Sequence, residues 1–127
     1  MAMTAAWVAA GLLGALAIVQ LCLAAGAPWG RFAWGGRHPG VLPARWRIAS
    51  ACAPLLYAAI AAVLLCRAGV LGSGGAAWAH PAAWAVFGYF VLSAAANLAS
   101  RSPAERWTMG PSCLVLALAA LVVAGVG

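Results

Sequence analysis

The sequence has very little charge, and almost none of it is negative. Charged residues make up 6% of the 127 positions, Glu105 is the only acid, and every basic residue apart from histidine is an arginine. A soluble domain carries roughly 25% charged residues and needs them to cover its surface in water. With 67% hydrophobic residues instead, the chain is excluded from the soluble globular class, and lipid is the solvent that fits its composition.

The groups that most catalytic and metal centres use are also scarce. The chain has two histidines and one acid, which is thin material for a general acid and base. The cysteines form no CxxC pair and no zinc-site spacing, and they fall in or beside apolar runs at Cys22, Cys52, Cys66 and Cys113. We therefore expect no metal, no cofactor and no disulfide framework, and the chain leans away from being an enzyme.

The apolar residues fall into four long runs. A spanning helix needs about 20 residues, so the chain has room for four spans and short connections. We predict an all-α membrane protein, a compact bundle of four transmembrane helices forming one domain over 1–127, with helices at about 4–26, 47–67, 81–100 and 104–126. The first run exceeds the roughly 7–15 residues of a signal-peptide core and no basic residue precedes it, so we expect it to be retained.

Arginine is unevenly distributed among the connections. Four arginines belong to the first connection, two to the third, and Arg67 stands alone at the second. Because arginine accumulates on the cytoplasmic side, we predict cytoplasmic loops at 27–46 and 100–107 and both termini outside, in a bacterial inner membrane. A pI of 10.1 suggests nucleic acid for a soluble protein. Here we expect anionic lipid headgroups as partners and no nucleic acid.

The only acid has a structural explanation in the sequence. Ser102 and Glu105 have the S-x-x-E spacing of a capping box, with Pro103 at the first helical position. We therefore place Glu105 in the turn that opens the last helix. A proton-coupled exporter would be expected to need a carboxylate inside the membrane, and on this interpretation the chain has none.

Two segments share the pattern L-A-x-x-x-P-x-x-R, one at 23–31 and one at 98–106. Each leads into an Arg-Trp pair at the start of the next helix, and that helix then contains a proline. The pattern indicates two parallel helix-loop-helix repeats about an axis along the membrane normal. Coincidence is the alternative, because alanine-rich turns with the same task resemble one another.

Polar side chains inside the spans gather towards one end of the predicted bundle. Each helix contributes two of them, about one to two turns from the arginine-rich loops, and the full layer is Gln20, Cys22, Ser50, Cys52, Ser93, Asn97, Ser112 and Cys113. One interpretation is a cavity open to the cytoplasmic leaflet. The other is hydrogen bonding between helices, with cysteine acting as a small hydrophobe.

The cavity interpretation includes a roof of basic side chains from the loops. Arginine forks suit phosphate, so the expected guest is a lipid headgroup or another phosphorylated amphiphile. The candidate headgroup residues are Arg31, Arg37, His38, Arg45, Arg47 and Arg106. The first loop is too rich in turns for one helix and too apolar to be fully solvated, so we expect it to lie among headgroups or to fold back against the bundle.

Four short pieces of sequence point to a group of proteins. They are Pro28-Trp29-Gly30, Gly35-Gly36 and Leu42-Pro43 in the first loop, and Pro111-Ser112-Cys113-Leu114 in the last helix. With these pieces the chain resembles small bacterial four-helix integral membrane proteins of the domain-of-unknown-function type. The resemblance implies the four-helix fold and brings no activity with it.

These observations favour a non-enzymatic polytopic membrane protein. Its expected role is that of an accessory or oligomer-forming subunit, which packs through its helices against copies of itself or against a partner membrane subunit. The alternative is a small transporter or lipid-binding protein that uses the polar cavity on the cytoplasmic side. A membrane enzyme acting on a lipid is a third hypothesis, and the shortage of acids and bases weighs against it.

Overall fold

The structure of the chain, a computed structural model, describes residues 1–72 and 76–126. No strand occurs among these residues, which fold into four α-helices: α1 (Ala2–Ala24), α2 (Ala44–Arg67), α3 (Ala79–Leu98) and α4 (Pro103–Gly125). Each helix is long and apolar enough to cross a membrane. The predicted fold class is confirmed. Of the glycine-rich connection between α2 and α3, residues 73–75 lie outside the described residues.

The helices pack as two hairpins. Helix α1 packs chiefly against α2, and α3 packs chiefly against α4, while contacts between α1 and α4 join the two pairs. Helices α2 and α3 touch each other much less than the members of either hairpin do. In α4, 44% of the apolar span is buried, against 17–22% in the other three helices, so α4 is the most enclosed helix. The internal repeat stays a prediction.

The half of the bundle that holds the termini has a packed apolar core. Its buried residues come from all four helices: Ala6, Ala9, Leu13, Ile60, Leu64, Leu65, Ala83, Val86, Phe90, Leu116, Ala117, Ala119, Ala120, Val123 and Ala124. Many are alanine, and small residues let helix backbones approach closely, which strengthens helix association in lipid. At this end Arg67 donates to the carbonyl of Val126 and contacts His80 Nδ1 at 3.1 Å.

The opposite end of the bundle carries the long loop between α1 and α2. Leu23, Ala33 and Leu42 are buried together there, and Trp34 and Trp46 pack beside them with ring centres 5.0 Å apart. The loop contains two short 3-10 turns, at Gly30–Phe32 and Trp34–Gly36. Of the two placements expected for this segment, the structure shows the fold back against the bundle.

The loop is also closed on itself. The Gly30 N–H donates to the Gly40 carbonyl at 2.9 Å. The chain passes so near that a Cβ at Gly30 would lie 1.7 Å from the carbonyl oxygen of His38, so only glycine fits at this crossing. The result is a compact cover at one end of the bundle, with its apolar residues turned towards the helices.

Candidate functional site

A cavity occupies the half of the bundle nearest the loop. Its volume is about 370 Å³, and all four helices and the loop contribute to its wall. On α1 the lining residues run from Leu13, near the middle of the helix, to Leu23, at its end. The cavity therefore extends from the middle of the span to the loop, on the other side of the bundle from the packed core.

The polar layer predicted from the sequence coincides in part with this cavity. Five of its eight members line the wall: Gln20, Cys52, Ser93, Asn97 and Cys113. The remaining three are Cys22, Ser50 and Ser112, which are not among the lining residues. The sequence thus predicted a layer of polar residues near one end of the helices. In the structure, five of these residues line the cavity and three make other contacts or none with its wall.

Two of the three outlying members have partners elsewhere. Ser50 is fully buried and accepts a hydrogen bond from Trp34 Nε1 at 2.9 Å, so it holds the loop. Ser112 donates to the Thr108 carbonyl of its own helix at 2.8 Å, next to Pro111, whose missing N–H interrupts the backbone ladder there. Ser50 therefore holds a side chain of the loop, and Ser112 bonds to the backbone of its own helix.

Two hydrogen bonds connect neighbouring helices in the cavity wall. Gln20 Nε2 on α1 donates to Tyr57 Oη on α2 at 3.2 Å. Asn97 Nδ2 on α3 donates to Cys113 Sγ on α4 at 3.3 Å. Interhelical bonds of this kind belong to the packing interpretation of the layer. However, Gln20 Oε1 is buried and has no hydrogen-bond partner within the part of the chain that the structure describes, which leaves one acceptor of the wall unused.

Sequence reasoning missed Tyr57 as a member of this wall. The lining residues of α2 are Cys52, Ala53, Leu56 and Tyr57. Their spacing places them on one face of the helix. The sequence could therefore have predicted that Tyr57 lies on the same face as Cys52. Tyrosine in a membrane span is common at the interface with water, so its residue type alone does not indicate a cavity.

The carboxylate of Glu105 also belongs to the cavity. Ser102 Oγ accepts a hydrogen bond from the Glu105 N–H at 3.4 Å, so the serine half of the predicted capping box is confirmed. The return bond is not formed, because the Ser102 N–H donates to Ser100 Oγ instead. The Glu105 side chain, however, is only 4% exposed, lines the cavity, and accepts a hydrogen bond from the Gly35 N–H at 3.1 Å. Glu105 thus lies in the first turn of α4, as predicted. The folding of the loop over its carboxylate was not predicted.

The contact with Glu105 depends on an unusual backbone turn. Trp34, Gly35 and Gly36 have φ angles of 53°, 76° and 69°, in the left-handed region that favours glycine. A Cβ at Gly36 would lie 2.3 Å from the Cβ of Ser102, and Ser102 Oγ also donates to the Arg31 carbonyl at 2.6 Å. The two glycines therefore let the loop sit directly on the start of α4, with one amide directed at the carboxylate.

The candidate headgroup residues lie outside the cavity wall. Arg31 stacks over the ring of Phe32 and Arg45 over the ring of Trp46, each at 5.0 Å from the ring centre. Arg37 is exposed at the surface of the loop.

The other basic candidates contact backbone. Arg47 Nε donates to the Ala24 carbonyl at 3.0 Å, and Arg106 Nη1 donates to the Ser100 carbonyl at 3.2 Å. His38 is half-buried in the loop. These residues thus surround the loop end as a basic rim, defined as Arg31, Arg37, His38, Arg45, Arg47 and Arg106, and their binding of headgroups stays a prediction.

The loop closes the cavity with apolar side chains instead of arginines. Phe32, Ala33 and Trp34 line its end, next to Glu105. The wall therefore contains one carboxylate and no arginine or histidine among the described residues. The electrostatic character of the cavity is opposite to that of the basic rim a few residues away.

The cavity is open on one side, between α2 and α3. Its exposed lining residues, Cys52, Leu56 and Tyr89, belong to these two helices, which are also the neighbours with the fewest mutual contacts. The outer surfaces of both helices are apolar, as Leu55 and Leu92 illustrate with 75% and 73% exposure. The opening therefore lies on an apolar flank of the bundle, in the half nearest the loop.

Nothing in the described residues resembles a metal centre. No group of three His, Cys, Asp or Glu side chains is placed to hold an ion among them, and the four cysteines are free thiols. His38 and His80 lie at opposite ends of the bundle, as the topology predicted from the sequence requires. Comparison with protein-family models, with curated proteins and with solved structures found no match to this chain.

The left-handed turn generates a prediction about closure of the cavity. Replacing Gly36→Ala puts a Cβ into Ser102 and strains a backbone with φ 69°, so we expect the loop to lose about 1–3 kcal/mol of docking free energy. A water-soluble maleimide should then reach buried Cys113 about tenfold faster or more, as measured by site-resolved mass spectrometry of labelling in detergent.

The matched control for this variant is Gly40→Ala. A Cβ at Gly40 meets open space, and the substitution stays within the same loop, so labelling of Cys113 should remain at the rate of the unmodified protein. Equal labelling rates in both variants would show that the loop does not control access to the cavity.

Proposed function

We propose that this protein is a membrane-embedded binding protein for an amphipathic molecule, acting as a small transporter or carrier. One observation supports this role above the others, namely a cavity that opens sideways to lipid and carries polar groups at its closed end. A guest could enter between α2 and α3 without leaving the membrane. Its polar head would then lie near Gln20, Asn97 and Glu105, and its tail would extend along the apolar wall towards the opening.

The dimensions of the cavity suit such a guest. Small-molecule sites occupy roughly 300–1,000 Å³, are mostly apolar and have a few convergent polar groups. A volume of about 370 Å³ lies at the lower end of this range, which favours a single chain or a small ring system over a complete two-chain lipid. The polar groups are concentrated in the same part of the wall, so the arrangement favours one orientation of the guest.

Binding suits this wall better than catalysis does. Its only carboxylate already accepts a hydrogen bond from the loop backbone, and no histidine lies beside it in the described part of the wall. General acid–base catalysis uses a group that can exchange a proton with the reacting molecule. The role proposed for Glu105 is therefore to position the loop and to contact the head of the guest.

The proposed orientation places the loop end in the cytoplasm of a bacterial cell and both termini outside the inner membrane. The basic rim and Arg101 lie at the loop end, whereas Arg67 lies at the other end. Such an asymmetry is typical of a protein whose basic end faces the cytoplasm. The cavity would then open to the inner leaflet.

A labelling experiment tests this orientation. In intact cells, a membrane-impermeant thiol reagent should label a Leu71→Cys variant and leave an Arg37→Cys variant unlabelled, because the two exposed positions lie at opposite ends of the bundle. Permeabilised cells, in which both positions should react, provide the control. Labelling of Arg37→Cys alone in intact cells would reverse the assignment.

A cavity-filling substitution tests the binding site. Ala53 lines the wall, whereas Ala59 on the same helix is exposed and lies outside it. We expect Ala53→Phe to reduce the binding of decanol, a neutral single-chain probe, by about tenfold or more, which corresponds to about 1.4 kcal/mol. Native mass spectrometry of the protein in phosphatidylcholine nanodiscs would measure the occupancy.

The matched variant Ala59→Phe adds the same ring to the lipid-facing surface and should bind decanol as the unmodified protein does. Both variants should retain their helical circular dichroism. If Ala53→Phe and Ala59→Phe bound the probe equally well, the cavity would not be the binding site, and the proposed function would be rejected.

A second candidate function is that of an accessory or oligomer-forming subunit. It is favoured by an open face of small residues on α1, where Gly11, Gly14 and Ala15 are exposed and a Cβ at either glycine meets nothing within 4 Å. Small residues at such spacing allow close approach of another helix. By comparison, Ala120 and Ala124 on α4 are already buried inside the bundle.

The second candidate predicts a defined effect of Gly11→Leu. The larger side chain would prevent close approach of a helix at this face, so crosslinking of the protein in membranes should yield fewer dimers or partner adducts, about tenfold fewer for a loss of about 1.4 kcal/mol. An exposed leucine at the equivalent place on α2, Leu55→Ala, serves as control. An unchanged crosslinking pattern would count against a subunit interface on α1.

A further inference from the structure

We infer that the guest of the cavity has a positively charged, hydrogen-donating head, such as a primary or secondary ammonium group. This inference rests on the proposed binding function and adds the chemical class of the ligand. It follows from the groups that the wall presents, from the charge that it contains and from the aromatic rings around its closed end.

The wall contains a buried acceptor that lacks a donor. Gln20 Oε1 is buried without a partner, while the amide nitrogen of the same side chain already donates to Tyr57. Asn97 Nδ2 likewise donates a hydrogen bond to Cys113 Sγ. A buried acceptor without a donor is destabilising, so a guest that donates a hydrogen bond to Gln20 Oε1 would relieve that cost.

The charge of the wall points the same way. Glu105 is its only ionisable carboxylate, and no basic side chain lines the cavity within the described residues. A buried charge is stable when it is paired, and the Gly35 N–H supplies only part of what a carboxylate accepts, since it has about four acceptor positions. A cationic head can pair with Glu105 while the bond to the loop remains in place.

The same arrangement disfavours an anionic head inside the cavity. A phosphate would meet the carboxylate of Glu105 in an environment of low dielectric, where repulsion between like charges is strong. The arginines that could compensate are engaged at the basic rim, for example Arg47 on the Ala24 carbonyl and Arg106 on the Ser100 carbonyl. Phosphate binding, as predicted from the sequence, would thus be confined to the rim.

Aromatic rings add to the preference for a cation. Phe32 and Trp34 close the cavity beside Glu105, and Tyr57, Tyr89 and Phe90 lie along its wall. The faces of such rings attract cations, and more strongly as the site becomes less hydrated. An ammonium group therefore finds a carboxylate, an amide oxygen and aromatic faces in one enclosure, while an alkyl tail meets apolar side chains.

Three probes with the same tail and different heads test this inference. Decylamine, decanol and decyl phosphate are presented at equal mole fractions in phosphatidylcholine nanodiscs near neutral pH, and native mass spectrometry measures their occupancy. We expect decylammonium to bind at least about tenfold more tightly than decanol, because hydrogen bonds to charged groups are stronger than neutral ones. Decyl phosphate should bind most weakly.

Two variants assign the preference to particular atoms. Glu105→Gln keeps the size of the side chain and an oxygen for the Gly35 N–H, and it should remove most of the preference for decylammonium over decanol. Gln20→Leu does not alter the hydrogen bond between Gly35 and Glu105. It should weaken the binding of decylammonium and of decanol, the two probes that can donate to Gln20 Oε1, by about two- to tenfold. Arg45→Gln, a charge change at the basic rim and outside the cavity wall, should leave the affinities for decylammonium and decanol unchanged.

The outcomes separate this inference from the proposed function. Equal affinities for the three probes, or tightest binding of decyl phosphate, would overturn the cationic assignment while leaving the cavity as a binding site. Failure of all three probes to bind in a manner sensitive to Ala53→Phe would overturn both. A preference for decylammonium that persists unchanged in Glu105→Gln and Gln20→Leu would also reject the assignment, because the cation would then be recognised elsewhere.

Discussion

The loop end of the bundle depends on one hydrogen bond, from the Gly35 N–H to the Glu105 carboxylate. A carboxylate enclosed among apolar helices must be given donors, since an unpaired one is strongly destabilising. The loop supplies this donor from its backbone, as the Gly35 N–H. The left-handed turn at Trp34–Gly36 directs that N–H towards α4. With the turn in this position, Trp34 Nε1 donates to Ser50 Oγ, and Ser102 Oγ donates to the Arg31 carbonyl.

Closure by the loop determines which environment the cavity meets. Phe32 and Trp34 separate it from water at the loop end, and the packed core fills the bundle beyond Leu13 and Leu116. The remaining opening is the gap between α2 and α3, whose outer surfaces are apolar. The closed end and the opening have separate origins: the loop docks on α4 at one end, and α2 and α3 make few contacts with each other at the side.

The four helices could be predicted from the sequence because the length of an apolar run and its lack of charge can be read along the chain alone. Each run can then be compared with the length that spans a membrane. The position of a residue along its helix was equally readable, and Gln20 and Asn97, predicted in one layer, both line the cavity. The direction in which a residue faces around the helix axis could not be predicted. Ser50 and Cys52 differ by two residues, a rotation of about 200°, and one holds Trp34 while the other lines the cavity.

Glu105 shows a different limit of prediction. The capping-box spacing identified the backbone partner of Ser102, three residues away, but the carboxylate finds its own partner 70 residues earlier in the chain. No local pattern specifies such a contact. The arginines were predicted over the cavity for the related reason that closeness in sequence was taken as closeness to the site. Phe32 lines the cavity, whereas Arg31, the residue before it, stacks on that ring from outside the wall.

This separation of charge follows from the cost of burying a guanidinium. Arginine inside a membrane span is expensive unless it reaches water, headgroups or a partner, so folding turns the loop arginines outwards to aromatic faces and helix carbonyls. A single carboxylate with a backbone donor is the less costly group to enclose. The fold thus places positive charge on the outside of the loop end and negative charge inside the cavity. If the cavity binds a guest as proposed, a cation would gain by passing from the rim into the cavity, whereas an anion would not.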